Sequence, residues 1–377
     1  MVYLDYNATT PLSDAAKAWM SDAVSTWGNP SSVHGMGRSA RELLEKSRSI
    51  VADALAATPD EVVFTSCGSE SNASVLVGKA LAVEGLRVLV SPVEHSSIRD
   101  LAPTLNRLGA KVEWMKLLPS GALDCEHLKA AVESFRPHLV SLMVVNNETG
   151  IVFPIPEVSD LCRATGAELH VDAIQGLGKL PAEKWKMADY LSVSAHKVNG
   201  PKGTGALRVA SSRKLAPLFF GGNNELKRRG GTINLIGIAG FAGALSQPIS
   251  SDDRGRMERL RNDLERRLLN EINGAVIQGA HCERAPHTTN LRVSGVRAEA
   301  LLAALDLDGI LLSAGAACSS GATKASPIMR AMGLPEEQAL ECFRLSLGKT
   351  TTAEELNHFA DRLRFHVERI RSRRGRG

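Results

Sequence analysis

Short runs rich in Val, Leu and Ile alternate with helix-period stretches through the first two thirds of this chain, and no other feature restricts the fold as much. Strands are predicted over Glu61–Thr65, Arg87–Ser91, Lys111–Lys116, Leu139–Val145, Glu168–Asp172, Tyr190–Ser194 and Gly205–Val209. Between them, Ser69–Val83, Ser97–Leu108, Cys125–Ser134 and Pro156–Thr165 carry helical spacing. Parallel strands need crossover connections, usually helices, so this alternation predicts an α/β domain around a seven-stranded, mostly parallel sheet. A charged helix over Asp253–Ile272 follows the Gly-rich stretch Gly230–Gly243. Beyond it a smaller α/β unit is expected, with strands near Asn290–Val293, Ile310–Ser313 and Cys342–Leu347 and a long last helix from Thr352. Pro and Ser cluster near Gln247–Asp253, where the boundary between the two units is placed.

The composition removes several classes of function. With 377 residues, 44% hydrophobic and 23% charged, the chain has enough apolar volume for a sizeable core and is not a disordered protein. No apolar run approaches the roughly 20 residues that a membrane-spanning helix requires. The first residues lead directly into foldable sequence, with the pattern of neither a signal peptide nor a transit peptide, so a cytoplasmic protein is expected. The net charge is +4, yet from Arg362 onward there are seven arginines against one glutamate, Glu368. Such a basic end suits an acidic partner or the solvated end of a last helix; nucleic-acid binding is not expected, because no recognition motif accompanies the charge. Six cysteines at long, irregular spacing, without a CxxC pair, argue against both a disulfide framework and a structural metal site. Each is then a small packing residue or a reactive thiol.

In open α/β sheets ligands collect beyond the carboxyl ends of the strands, and polar groups are concentrated there. Thr65-Ser66-Cys67-Gly68-Ser69-Glu70-Ser71-Asn72 leads from a strand into a helix, placing small side chains and free N–H groups where a phosphate could sit, although an ordinary N-cap reads the same way. Glu94-His95, Asn146-Asn147-Glu148-Thr149-Gly150, His170-Val171-Asp172-Ala173-Ile174-Gln175 and Ser194-Ala195-His196-Lys197 follow four further strands. Five strand ends so equipped exceed what a purely structural domain needs.

Lys197, just past a strand, is suited to a Schiff base with an aldehyde cofactor such as pyridoxal phosphate (PLP). Asp172, on a neighbouring strand, is the candidate carboxylate for keeping the ring nitrogen protonated, which strengthens the ring as an electron sink. His95 is a candidate for stacking on the flat ring and for moving protons, and Gln175 for donating to the phenolic oxygen. Cys318 stands in Ser313-Ala314-Gly315-Ala316-Ala317-Cys318-Ser319-Ser320-Gly321-Ala322-Thr323, where almost every residue is small. An exposed, mobile loop with a reactive thiolate is expected there rather than a packing cysteine.

These stretches, together with Tyr3-Leu4-Asp5-Tyr6-Asn7-Ala8-Thr9-Thr10-Pro11 and Ala314-Gly315-Ala316-Ala317-Cys318-Ser319-Ser320, resemble the cysteine desulfurases of the NifS/IscS group, class V aminotransferase-family enzymes with the aspartate-aminotransferase-like PLP fold. The resemblance runs along nearly the whole chain. It implies that Lys197 carries PLP, that His95 stacks on it, that Asp172 meets the ring nitrogen and Gln175 its phenolic oxygen, and that Asn147 lies at the ring edge. Gly68, Ser69, Ser194 and His196 would bind the phosphate or its neighbours, completed by Thr232 from a partner subunit, hence a homodimer. Arg344 would clamp the substrate carboxylate through its planar guanidinium fork. Cys318 would take sulfur from L-cysteine as a persulfide, leaving L-alanine, and pass it to an acceptor protein for iron–sulfur cluster assembly; it is also a candidate transient iron–sulfur ligand. The implied domains are a large PLP-binding unit, 12–250, and a small unit made of 1–11 with 251–377.

Two departures stand out. The segment Gly221-Gly222-Asn223-Asn224-Glu225-Leu226-Lys227-Arg228-Arg229 lacks the usual Gln or His ahead of the phosphate-binding Thr, and Cys67 replaces a residue that is commonly Gly. The remaining cysteines, Cys125, Cys162, Cys282 and Cys342, are read as packing residues. Two alternatives keep PLP: a selenocysteine lyase, which can act without a thiol acceptor, and a sulfur-carrier scaffold, which needs no carboxylate clamp.

Overall fold

A computed structural model describes residues 1–315 and 324–374. Eight strands come first: β1 (Val2–Tyr3), β2 (Val62–Thr65), β3 (Arg87–Val90), β4 (Lys111–Trp114), β5 (Leu139–Met143), β6 (Glu168–Asp172), β7 (Tyr190–Ser194) and β8 (Gly205–Val209). All but β1 form one seven-stranded sheet in the order β2-β8-β7-β6-β5-β3-β4. Only β8 opposes its neighbours, so the other six strands point the same way. Every residue of β5 and β7 is buried, because helices cover both faces of the sheet, and this is why these strands are largely apolar, with only serines among the hydrophobic residues. Edge strand β4 instead exposes Lys111 and Glu113, charges that discourage pairing with another sheet.

A second apolar core is built elsewhere, from Val2, Leu4, Leu264, Leu291, Phe343, Phe359 and Leu363 among others. It lies around the antiparallel sheet of β9 (Ala275–Ile277), β10 (Thr288–Val293) and β12 (Cys342–Ser346). The first residues join it through parallel pairing of β1 with β11 (Ile310–Leu311). Helices Ser251–Glu271 and Ala353–Arg374 pack on it. The basic end of the chain is partly absorbed here: Arg362 pairs with Asp308, Arg364 with Glu271, and Arg371 donates to the carbonyls of Asn273 and Ser294.

The structure differs from the sequence expectation at several helices. The single helix expected over Ser97–Leu108 is two, Ser96–Arg99 and Ala102–Arg107, because Pro103 has no N–H to continue the ladder. The Gly-rich stretch Gly230–Gly243 contains a fully formed helix, Leu235–Leu245, buried along most of its length. Helices Asp14–Ser25 and Gly35–Ala54, which the spacing did not reveal, pack against it. Cys162 and Cys342 are buried as expected, but Cys125 is exposed and Cys282 only partly covered, so the packing role does not hold for Cys125. Among the described residues no helix is long and apolar enough to cross a membrane.

Candidate active site

Because β2, β3, β5, β6 and β7 run the same way, their carboxyl ends meet along one edge of the sheet. There a pocket of about 270 Å³ is lined by Lys197, Asp172, His95, Gln175, Asn147 and Arg344, with Gly68, Ser69, Ser194 and His196. Ten of the twelve residues singled out from the sequence line this pocket; Thr232 does not, and Cys318 lies outside the described residues.

Lys197 ends the short 3₁₀ turn Ala195–Lys197 that follows β7 directly. Its Nζ donates to the carbonyls of Asn7 (2.6 Å) and Ala8 (2.8 Å). Asp172 is the last residue of β6; its Oδ1 accepts from the Ile174 N–H and its Oδ2 from Asn72 Nδ2, both at 2.9 Å. Burial pushes this carboxyl up, against those two hydrogen bonds and the charges of His95 and Lys197. His95 caps helix Ser96–Arg99, its Nδ1 accepting from the Ser97 N–H at 3.1 Å and lying 2.9 Å from Ser97 Oγ. Burial holds the ring below its ordinary value, so it is neutral near pH 7 with its proton on Nε2. Asn72 sends an amide hydrogen to Ser97 Oγ as well (3.0 Å), so one buried amide orients both Asp172 and the partner of His95.

Gly68 and Ser69 open helix Gly68–Ala82, whose cap residue Cys67 supplies no side-chain hydrogen bond. The first-turn N–H groups and the helix dipole are left for an anion. Across from them Ser194 Oγ is buried with no partner among the described residues. His196, hydrogen-bonded at Nδ1 to Thr9 Oγ1 (3.2 Å), is pulled down to about 4 by burial and by Lys197, Lys179 and Lys202, so it is neutral at pH 7. Thr232 does not reach this pocket; it lines a neighbouring cavity with Thr65, Ser66 and Arg229.

Arg344 comes from β12, in the other sheet. Its Nη1 donates to the Asn147 carbonyl (2.9 Å) and its Nη2 to Asp5 Oδ1 (2.7 Å), while Asp5 Oδ2 accepts from Ser313 Oγ. Among the described residues, Arg344 Nε and Asn147 Oδ1 are buried without partners. The Asn147 loop is held by its neighbour: Asn146 Oδ1 accepts from the N–H groups of Glu148 and Thr149.

Orphaned buried polar atoms are rare because each costs about 1–3 kcal/mol, yet Ser194 Oγ, Asn147 Oδ1 and Arg344 Nε cluster here. Among the described residues Asp172 has no cation within ion-pair distance, although it is fully buried. A phosphate would complete Ser194 Oγ, a protonated ring nitrogen Asp172 and a substrate carboxylate Arg344 Nε, so these residues fit PLP. The sequence reading passed over Asn7, Asn72 and Lys179. Asn7 and Asn72 lie within stretches quoted above, though neither is given a role there, and Lys179 carries no signal beyond its place in the turn that follows Gln175.

A half-buried lysine at the carboxyl edge of a mostly parallel sheet, facing a buried aspartate and an anion-ready helix terminus, defines an enzyme of the aminotransferase type. The chain belongs to the aminotransferase class-V family, whose profile matches residues 2–359. Class V aminotransferases, the cysteine desulfurases among them, are PLP enzymes. The chain is 36% identical to "Cysteine desulfurase IscS" of Dictyoglomus turgidum over 98% of this chain and 95% of that protein. It is 38% identical to a cysteine desulfurase of Cereibacter sphaeroides, covering 98% and 97% of the two. Among solved structures it is similar to a NifS-like protein (TM-score 0.90, 32% identity, 97% and 99% coverage) and to one from Rickettsia africae (0.88, 30%, 98% and 99%).

Proposed function

We propose that this protein is a cysteine desulfurase that converts L-cysteine to L-alanine, carries the sulfur as a persulfide on Cys318 and supplies it for iron–sulfur cluster assembly. The observation that carries this reading is the convergence of Lys197, Asp172, His95 and Arg344 on one pocket from two separate sheets. Bound PLP supplies a reactive carbonyl carbon and an electron-withdrawing ring that accepts negative charge from the substrate Cα.

The chain's own residues do the rest. Lys197 offers the amine that holds the cofactor, and Asn7 and Ala8 aim it through their carbonyls. Asp172 presents a buried carboxylate to a ring cation, and Gly68, Ser69, Ser194 and His196 receive the phosphate. Arg344 takes the substrate carboxylate and, with Asn147, sets which Cα bond faces the ring. Since Ser97 occupies His95 Nδ1, any proton that His95 exchanges in the pocket passes through Nε2. The Cys318 thiolate attacks the substrate sulfur; the C–S bond breaks, its electron pair and a proton complete the alanine methyl group, and the sulfur remains bonded to Cys318.

Two structural proposals accompany this one. The large unit, 12–250, supplies Lys197, and the small unit, 1–11 with 251–377, supplies Asn7 and Arg344. Thr232 serves the pocket of a second copy in a homodimer, in keeping with its position outside its own chain's pocket. Replacing Cys318 with Ala is expected to abolish alanine and sulfide formation from cysteine while the yellow band of the bound cofactor persists. Replacing Lys197 with Ala should remove that band. Continued sulfide release by Cys318→Ala would sink the proposed sulfur transfer.

A further inference from the structure

Lys179 is only 3% exposed, and among the described residues no carboxylate pairs with it. Its Nζ donates to Gln175 Oε1 at 2.7 Å, four residues back in the same turn, and it shares a small cavity behind Lys197 with His287. A buried lysine without a counter-ion is costly to the fold. The local cations make it costlier still: Lys197 and Arg344 both disfavour its charge, and Lys179 in turn disfavours protonation of His287.

The hydrogen bonds around Gln175 show what this cost maintains. Facing a lysine that donates, the Gln175 amide must present its oxygen; facing the Asn7 carbonyl, which only accepts, it must present its nitrogen, and Nε2 lies 2.9 Å from Asn7 O. The two partners together exclude the flipped amide. One hydrogen of Nε2 goes to Asn7, and the other makes no protein hydrogen bond among the described residues, while Gln175 lines the pocket. Without Lys179 the amide could turn and set its oxygen toward an anionic oxygen on the ligand.

We infer that Lys179 is a positioning residue that locks the Gln175 amide with its N–H toward the pocket, so that this donor meets the phenolic oxygen of the cofactor. The inference rests on the reading of the pocket as a PLP site. It is tested by titrating the cofactor-free chain with pyridoxal 5′-phosphate, followed by absorbance, for the parent, Lys179→Met, Gln175→Ala and the double variant, with thermal unfolding of each cofactor-free chain as a second measurement. Loss of one oriented hydrogen bond should raise the dissociation constant of Lys179→Met about three- to tenfold. Its unfolding temperature should stay level or rise, because a buried unpaired cation has been removed. In the Gln175→Ala background the same change should have no further effect on affinity, since residues acting through one another are not additive. Parent-like affinity of Lys179→Met, or additive losses in the double variant, would overturn the inference. A parent chain that shows no saturable binding would overturn the pocket reading, and this inference with it.

Discussion

Burial, more than ion pairing, governs the ionisable side chains around the pocket. His95, His170, His196 and His287 all have their proton affinity lowered chiefly by desolvation, His170 to about 3 and His196 to about 4. His170 is structural, its ring held between Ser141 and Ser192. For each, the folded value lies below the ordinary one near 6.5, so the unfolded chain binds more protons as pH falls. Their contribution is fully present above about pH 6.5 and is lost progressively toward pH 4 and below. Glu94 and Asp172, whose carboxyls burial pushes up, act in the opposite sense over part of that range. Urea unfolding of the cofactor-free chain is expected to show a falling midpoint between pH 6.5 and 4, with a shallower slope in His196→Gln. An unchanged slope in that variant would show that His196 is not held neutral. Of the residues discussed, the lysine and the aspartate were legible from the sequence because their chemistry is rare at strand ends, and the arginine only through the family resemblance. Asn72 and Lys179 were not, since a buried amide on a helix or a buried lysine in a turn looks like any surface one until its neighbours are known.

Among the secondary-structure elements, helix Leu235–Leu245 shows how packing overrides propensity. Glycine lowers helix stability by about 1 kcal/mol relative to alanine, and so the segment reads as a loop. The glycines are instead where neighbours come close. A Cβ at Gly240 would lie 2.5 Å from Met20 Cγ, and one at Gly243 would lie 2.7 Å from the Ala15 carbonyl and 2.9 Å from Trp19 Cγ. Both contacts belong to helix Asp14–Ser25, which crosses at this point. Gly243→Val should therefore destabilise the chain by about 1–3 kcal/mol or more through overpacking, read from chemical denaturation. A change under about 0.5 kcal/mol, the usual range for exposed sites, would mean that the helices can separate without loss. The strands carried the stronger signal because they are buried on both faces, which keeps their runs largely apolar, the few polar residues such as Ser141, His170 and Ser192 pairing with one another.

Over the whole molecule, the surface beside Thr232 carries several large apolar side chains in solvent. Trp27 is 77% exposed, Val33 85% and Phe220 81%, and Leu226 also stands out in solvent. The segments that bear them adjoin, since Ser31 Oγ lies 3.2 Å from Asn224 Oδ1 and both residues line one groove. The loop that displays Leu226 is held in an uncommon shape: Glu225, Leu226 and Lys227 all have positive φ, and buried Glu225 anchors them through Arg48 and the Phe64 N–H. Large exposed apolar groups together mark interaction surfaces, and a second copy that brings Thr232 toward the pocket accounts for both observations. Phe220→Asp is expected to yield folded monomers in sedimentation with weakened cofactor binding. A dimer with parent affinity would remove this face from the interface.

The succession of strands and helices, the edge of the sheet at which chemistry gathers and most of the groups that perform it were determined by the sequence itself, because periodicity and the scarcity of charged residues in buried strands are local properties. Only the tertiary structure decided that Arg344, from a separate sheet, reaches the same pocket as Lys197, that Thr232 does not, and that Lys179 stands behind Gln175. Those facts depend on contacts between residues far apart in the chain, where burial and the direction of hydrogen bonds give each group its role.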